Sequence, residues 1–249
     1  MSFADHFSSQ SASYAAFRPN YPAAFIRDLA EACPGRGLAW DAGTGSGQAA
    51  VPLAAHFTRV EATDASAEQI RHATPHPRVR YRVADEGASG LPDASADLVA
   101  AAQAAHWFDM ARFSAEADRV LRPGGLLAIW CYGLSRVDAA VDAAVREIYD
   151  GLLGPHWPPQ RRLVDEGYRG LPFPYPELAA PPWAIEAELR REDFLGYLGT
   201  WSALARARRM LAADPWPEMA RLMTAAWPEG SGSRRVVWPL SLRWGRKPA

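Results

Sequence analysis

The sequence predicts an α/β fold, a mostly parallel sheet flanked by helices. Three observations carry that prediction. The apolar stretch Leu38-Ala39-Trp40-Asp41-Ala42 runs into a turn with three glycines in five residues, Gly43, Gly45 and Gly47, and then into a helical stretch from Gln48 to Phe57. Further short apolar runs, Arg59 to Asp64, Val79 to Val83, Asp97 to Ala102 and Leu126 to Tyr132, alternate with helical patterns. Strands that alternate with helices feed a parallel sheet. Finally, 49% of the chain is apolar, which is ample for a core, yet no apolar run approaches the ~20 residues a membrane span needs.

The glycine turn is the most informative element. Glycine at alternate positions lets the backbone take positive φ and lets a ligand lie against the main chain. The helix start beyond it offers unpaired N–H groups and the positive end of a dipole. A strand, a glycine turn and a helix make a nucleotide-binding corner at the carboxyl edge of a parallel sheet. An ordinary βα turn does not need three glycines behind a strand-ending Asp41. In the dinucleotide fingerprint G-x-G-x-x-G the third glycine, counted from Gly43, falls at position 48, which is Gln48; here it is Gly47, one residue early. Asp64 ends the second strand 21 residues beyond Gly43. A carboxylate at that place accepts hydrogen bonds from ribose hydroxyls, whichever nucleoside cofactor carries them.

The pattern Asp41-Ala42-Gly43-Thr44-Gly45-Ser46-Gly47 resembles motif I of the class I S-adenosylmethionine-dependent methyltransferases. Leu121-Arg122-Pro123-Gly124-Gly125-Leu126-Leu127 is similar to their L-x-P-G-G signature. The run from Ser13 to Pro22, with Tyr14, Phe17, Arg18 and Tyr21, resembles the N-terminal motif of small-molecule methyltransferases related to trans-aconitate methyltransferase. The resemblance covers about half the chain, Tyr14 to Tyr132, and implies a Rossmann-like class I methyltransferase fold with S-adenosyl-L-methionine as cofactor. The cofactor residues it implies are Tyr14, Arg18, Asp41, Gly43, Gly45, Gly47, Asp64, Asp85, Gln103 and Ala104. Asp85, after the third strand, matches the acid that meets the adenine amino group; its plainer reading is a solvated turn acid. Gln103 and Ala104 fall beside the methionine portion, and His106 and Trp107 face the acceptor. The N-terminal arm is either a surface segment packed by its aromatics or a flap. As a flap, Tyr14 covers the cofactor and Arg18 attracts a carboxylate.

The organisation expected is one methyltransferase domain over residues 1–249. Residues 1–135 form a cofactor-binding core. Residues 136–235 form a helical, proline-rich insertion after strand five, which includes strand six from Trp183 to Leu189. Residues 236–249 hold the final strand. Val137 to Leu153, Asp193 to Arg208 and Trp216 to Trp227 read as helices, and Gly154 to Pro182, with eight prolines, as an irregular excursion. Seven of the ten tryptophans lie at or after Trp157, as core filling or as a cap over an apolar pocket. Pro52 implies that the helix after the glycine turn starts late or bends.

Net charge is −1 without blocks of like charge, which argues against nucleic-acid or anionic-membrane partners. Cys33 and Cys131 form no metal-type spacing, so no metal site is expected, and a reduced cytoplasmic setting fits them. Asp5 and His6 interrupt the start of the chain where a secretory leader would be apolar. The function expected is methyl transfer from S-adenosylmethionine to a small-molecule acceptor: a carboxylate, hydroxyl or amine. A carboxylate is already ionised and needs an arginine rather than a base; Arg18 is a candidate. A hydroxyl or amine wants a base, and His106 is the titratable group best placed for it. Two alternatives share part of the pattern. An NAD-dependent oxidoreductase has the glycine turn and Asp64 but not the early third glycine or the Pro-Gly-Gly signature. A protein that holds the cofactor without turnover has all of them.

Overall fold

The strand pattern builds a seven-stranded sheet in the computed structural model, which describes residues 17–249. The preceding arm, Tyr14 included, lies outside the described residues. The strands are β1 (Leu38–Ala42), β2 (Arg59–Asp64), β3 (Val79–Val83), β4 (Ala96–Ala102), β5 (Leu121–Tyr132), β6 (Trp183–Leu189) and β7 (Arg234–Arg246). Their order is β3-β2-β1-β4-β5-β7-β6, parallel from β3 to β5, with β7 antiparallel to both β5 and β6. This is the mostly parallel, Rossmann-like sheet that the sequence predicts.

Side-chain alternation explains why both faces are covered. On one face Ala39, Leu98, Ala100, Leu126, Ala128 and Trp130 pack with α1 (Ala23–Glu31) through Phe25, Ile26 and Leu29. On the other, Trp40, Val99, Ala101, Leu127 and Ile129 pack with α4 (Met110–Val120) through Phe113, Ala117 and Val120. The short helices α2 (Ala50–Leu53) and α3 (Ala67–Arg71) follow β1 and β2. Pro52 has the expected effect. Regular helix starts only at Ala50 and lasts four residues.

The chain after β5 holds α5 (Ala139–Arg146), a π-helical turn (Glu147–Leu152), α6 (Arg161–Asp165), α7 (Arg191–Gly199), α8 (Ser202–Met210) and α9 (Trp216–Ala226). The expected helix from Asp193 to Arg208 is two helices. They part at Thr200 and Trp201, where Trp201 takes an extended conformation and is almost wholly buried. Burying that indole against Tyr149 and Tyr197 outweighs continuing the helix. Val141, Val145, Phe194, Tyr197, Met219 and Trp227 of these helices join the same apolar cluster as α1.

One buried acid ties the amino edge of the sheet. Asp97 sits where the β4–β5 register shifts, fully buried. Its Oδ2 accepts from the Gly37 and Leu38 amides at 2.7 and 3.1 Å, and Arg122 Nη1 lies 2.8 Å from Oδ1. A Cβ at Gly35 would meet that oxygen at 2.6 Å, which accounts for glycine there. Asp97→Ala leaves two amides without an acceptor. It should lower unfolding free energy by about 2–4 kcal/mol in urea titration while the denaturant slope is unchanged.

Candidate active site

The parallel strands end along one edge, and β1 lies between β2 and β4, so the loops that leave β1 and β4 diverge and open a crevice. The loop after β1 lines it. Gly43, Gly45 and Gly47 have φ of +66°, +57° and +93°. Thr44 N–H donates to Thr63 C=O at 2.9 Å, and Gly45 N–H to Asp64 Oδ2 at 2.9 Å. Asp64 Oδ1 accepts from the Ser66 amide at 2.8 Å. The turn is packed on two sides. A Cβ at Gly43 would lie 2.6 Å from Ala104 Cβ, and one at Gly47 would overlap the Tyr81 hydroxyl. At Gly45 the nearest atom would be 3.9 Å away, so this backbone faces open space.

Asp41 is fully buried beneath the loop. Oδ2 accepts from the Thr44 hydroxyl at 2.6 Å, and the carboxyl also faces the Ala50 amide; among the described residues Oδ1, also buried, makes no hydrogen bond of good geometry. Burial raises this carboxyl to about 7, opposed by the Thr44 hydrogen bond and assisted by the Asp64 charge. A glycine cradle with one open face, bordered by the Asp64 carboxylate, suits a ligand with hydroxyl donors.

The other expected cofactor residues reach the same edge, with different partners. Gln103 ends β4 at φ +55°, unusual for a residue with a side chain. Its N–H donates to Trp130 C=O at 2.8 Å, and its side-chain amide exchanges hydrogen bonds with the Tyr132 backbone at 2.8 and 3.2 Å. It therefore latches the ends of β4 and β5. Ala104 packs on Gly43. Asp85 is half exposed and accepts two hydrogen bonds from Arg112 Nη2, at 3.1 and 3.2 Å, which its turn-acid reading also describes. Arg18 donates to the Tyr132 hydroxyl at 3.1 Å and to Thr200 C=O at 3.4 Å. Tyr14 lies outside the described residues.

A cleft opens between the end of β4 and the segment after β5, lined by Arg18, Gln103, His106, Trp107, Trp157, Arg161 and Trp201. His106 Nδ1 and the buried Tyr168 hydroxyl lie 2.8 Å apart. Burial, with a smaller push from Arg161, lowers this imidazole from 6.5 to about 3. His106 is therefore neutral and a weak proton acceptor, which counts against the base expected of it. Burial raises Tyr168 well above its usual range. Trp157, Arg161 and Trp201 are absent from the sequence-derived site. They come from a proline-rich excursion and a helix break, neither of which has a periodicity that aims side chains. The run Trp157-Pro158-Pro159-Gln160-Arg161 offers only composition.

An α/β sheet with an open glycine cradle and an adjoining cleft defines a protein that binds a nucleoside cofactor. The comparisons name the class. Residues 40–129 match the methyltransferase-domain family model. A Dictyostelium discoideum protein described as a methyltransferase is 33% identical over 94% of this chain and 91% of its own length. A structure of an Anaeromyxobacter dehalogenans protein described as a type II methyltransferase is 53% identical, with TM-score 0.87, over 94% of this chain and 100% of that one. The fold is also shared with a Haemonchus contortus phosphoethanolamine N-methyltransferase in complex with S-adenosyl-L-methionine. That structure is 15% identical, with TM-score 0.51, over 97% of this chain and 57% of that one. The chain belongs to the class I S-adenosylmethionine-dependent methyltransferases, and S-adenosyl-L-methionine is its cofactor. The oxidoreductase alternative falls with that assignment. The matched model stops at residue 129, before Trp157, Arg161 and Trp201.

The open face at Gly45 gives a direct test. A valine there meets no packed atom but must hold a left-handed backbone, at a cost of about 1–2 kcal/mol. Gly45→Val should stay folded, with Tm lowered by only ~2–8 °C. Calorimetric binding of S-adenosylhomocysteine should be lost. Undiminished affinity would remove the loop from the cofactor site.

Proposed function

We propose that the protein methylates a small molecule held in the cleft beside Gln103 and His106. The observation that carries this reading is the cleft's position and lining. It adjoins the carboxyl end of β4, next to the glycine loop, and its walls include the Trp107, Trp157 and Trp201 side chains. A cleft that sets three indoles beside Arg18, Gln103, His106 and Arg161 suits a small body with both an apolar part and a polar group. When bound, S-adenosylmethionine supplies an electrophilic methyl group on a positively charged sulfur. The residues that would hold it are Gly43, Gly45, Gly47, Asp41, Asp64, Asp85, Gln103 and Ala104, with Tyr14 and Arg18 of the arm. Asp64, held at the crevice by the Gly45 and Ser66 amides, is the acid placed for ribose hydroxyls.

This chain's share of the reaction is alignment and exclusion of water. Gln103 fixes the floor by holding the β5 end. Trp107 and Trp157 displace water from the cleft. His106 orients through Tyr168 and stays neutral, so the acceptor must arrive as its own nucleophile, either ionised or bearing a free lone pair. Cys33 and Cys131 are free thiols, which is compatible with a reducing cytoplasm. No helix among the described residues is long and apolar enough to cross a membrane.

Two measurements test this reading. Incubation with methyl-labelled S-adenosylmethionine and a cell extract should put label into products that pass an ultrafiltration membrane; label confined to protein or nucleic acid would overturn it. The second concerns His106. A folded-state value near 3 means the folded protein refuses the proton that the unfolded chain takes up below pH 6.5. The contribution of this residue to stability is therefore complete above that pH and lost as pH falls toward 3. The ¹³Cε1 resonance of His106, assigned with His106→Gln, should hold its neutral position from pH 8 to pH 5. A midpoint near 6.5 would restore the base.

A further inference from the structure

One charged group in the cleft has binding capacity that the protein does not use. Arg161 opens α6, and its side chain is 17% exposed. Nε donates to the Tyr149 hydroxyl at 2.7 Å and to Asp165 Oδ1 at 3.2 Å. The guanidinium lies over the rings of Tyr149 and Trp157, 5.2 and 4.9 Å from their centroids. Among the described residues Nη1 and Nη2 donate no hydrogen bond, although Arg161 lines the cleft. A guanidinium carries five N–H donors in a fixed fork, and the Nη edge of this one is turned to the cleft and not to a protein acceptor.

The counter-charge is incomplete as well. Asp165 is the one carboxylate within ion-pair distance among the described residues. Its side chain is 41% exposed, and both its oxygens also accept from the Tyr149 hydroxyl at 2.8 Å. The arrangement is therefore no closed internal salt bridge. Two aromatic faces fix the plane of the guanidinium, and one hydrogen-bonded edge fixes its rotation. The Nη edge is left over. Tyr149 belongs to the π-helical turn, whose signature bond runs from Leu153 N–H to Ile148 C=O at 2.9 Å. Such turns recur at functional sites because they re-aim side chains that a regular helix would place elsewhere.

We propose that Arg161 is the specificity-determining residue of the acceptor site. Its Nη fork takes a carboxylate of an acceptor whose apolar body lies against Trp107, Trp157 and Trp201. The fork matches a carboxylate in two parallel hydrogen bonds, and stacking has already removed much of its rotational freedom. Arg18, the arginine singled out from the sequence, instead spends donors on Tyr132 and Thr200. A cationic acceptor would face the guanidinium across a dry cleft, so the same residue selects against amines in their protonated form. This inference rests on the reading of the cleft as the acceptor site.

The test is calorimetry on protein saturated with S-adenosylhomocysteine. The probes are phenylacetate and 3-phenylpropionate, each against its neutral amide. Wild type should bind the acids at least ~10-fold more tightly than the amides. Arg161→Gln should weaken acid binding by roughly 30-fold or more, as when one partner of a buried charge pair is removed. It should also erase the preference for acid over amide while leaving S-adenosylhomocysteine affinity intact. Arg161→Lys should retain part of the preference. A merely structural arginine would instead lower Tm and weaken acid and amide alike. Equal affinity for acid and amide, failure of wild type to bind the acids, or a preference that survives in Arg161→Gln overturns the proposal. Failure to bind S-adenosylhomocysteine itself would overturn the underlying cofactor site, so the two failures are distinct.

Discussion

A left-handed turn of main chain between β1 and α2 is the constraint on which the site depends. Three consecutive odd-numbered residues hold positive φ there, and the turn is closed from β2 by the Thr63 carbonyl and the Asp64 carboxylate. The closure does more than shape a loop. It fixes Asp64 at the crevice while both its oxygens are anchored to amides. It also presses Gly43 against Ala104, so the loops after β1 and β4 cannot move independently. A side chain at Gly43 or Gly47 would push apart elements that the sheet order brings together; a side chain at Gly45 would only obstruct the crevice. The three glycines therefore serve different purposes, two for packing and one for access.

Dryness is the second organising fact. Asp41 moves up to about 7 and His106 down to about 3, and in each case burial is the largest cause. Both shifts disfavour charge on protein groups around the crevice. The cationic side chains that remain at the cleft, Arg18 and Arg161, are tied to hydroxyls, carbonyls or aromatic faces. A low-dielectric pocket with its fixed dipoles already in position has little to reorganise when charge moves within it. A water-filled pocket would have to reorient its solvent. Burial thus sets the charge state of these groups, with His106 held in its neutral form.

What was legible in the sequence follows from how local each signal is. The strands could be read because a parallel sheet buried on both faces demands short apolar runs. Arg59–Asp64 appears with the very bounds its short run indicates. The glycine loop could be read because positive φ has a chemical signature. Asp64 lay at a fixed distance from it. Other features depend on contacts across long stretches of chain. Arg122 to Gly125, with the proline and two glycines of the Pro-Gly-Gly signature, lie inside β5: Leu121 pairs with Ala96, the four residues bulge out of that ladder beside Asp97, and pairing resumes at Leu126 opposite Leu98. The break at Trp201 is set by Tyr149, Trp157 and Tyr197. Arg161 was invisible for the same reason: its orientation is decided by a π-helical tyrosine twelve residues earlier and by ring stacking, not by its neighbours in sequence.

The division between what was legible and what was not coincides with a division of labour in the fold. Residues facing the cofactor cradle come from loops at the ends of β1, β2, β3 and β4, each positioned by backbone pairing in the sheet. Backbone pairing tolerates little variation, and the ligand it serves is the same in every member of the class. The cleft's outer wall comes from the chain after β5, where position is set by aromatic packing. Tyr149, Trp157 and Trp201 stack on one another with centroids 4.6 to 5.7 Å apart, and Tyr197 links Trp201 to Trp238 of β7. Such a cluster can be repacked at a cost spread over several contacts, without altering a hydrogen bond of the sheet. A change in that wall therefore reshapes the cleft and leaves the cradle undisturbed; on the function proposed above it would change which acceptor fits. The fold keeps its glycine cradle on the rigid element and the outer wall of the cleft on the adaptable one, joined at Gln103, whose side chain ties the end of β4 to the strand from which the outer wall departs.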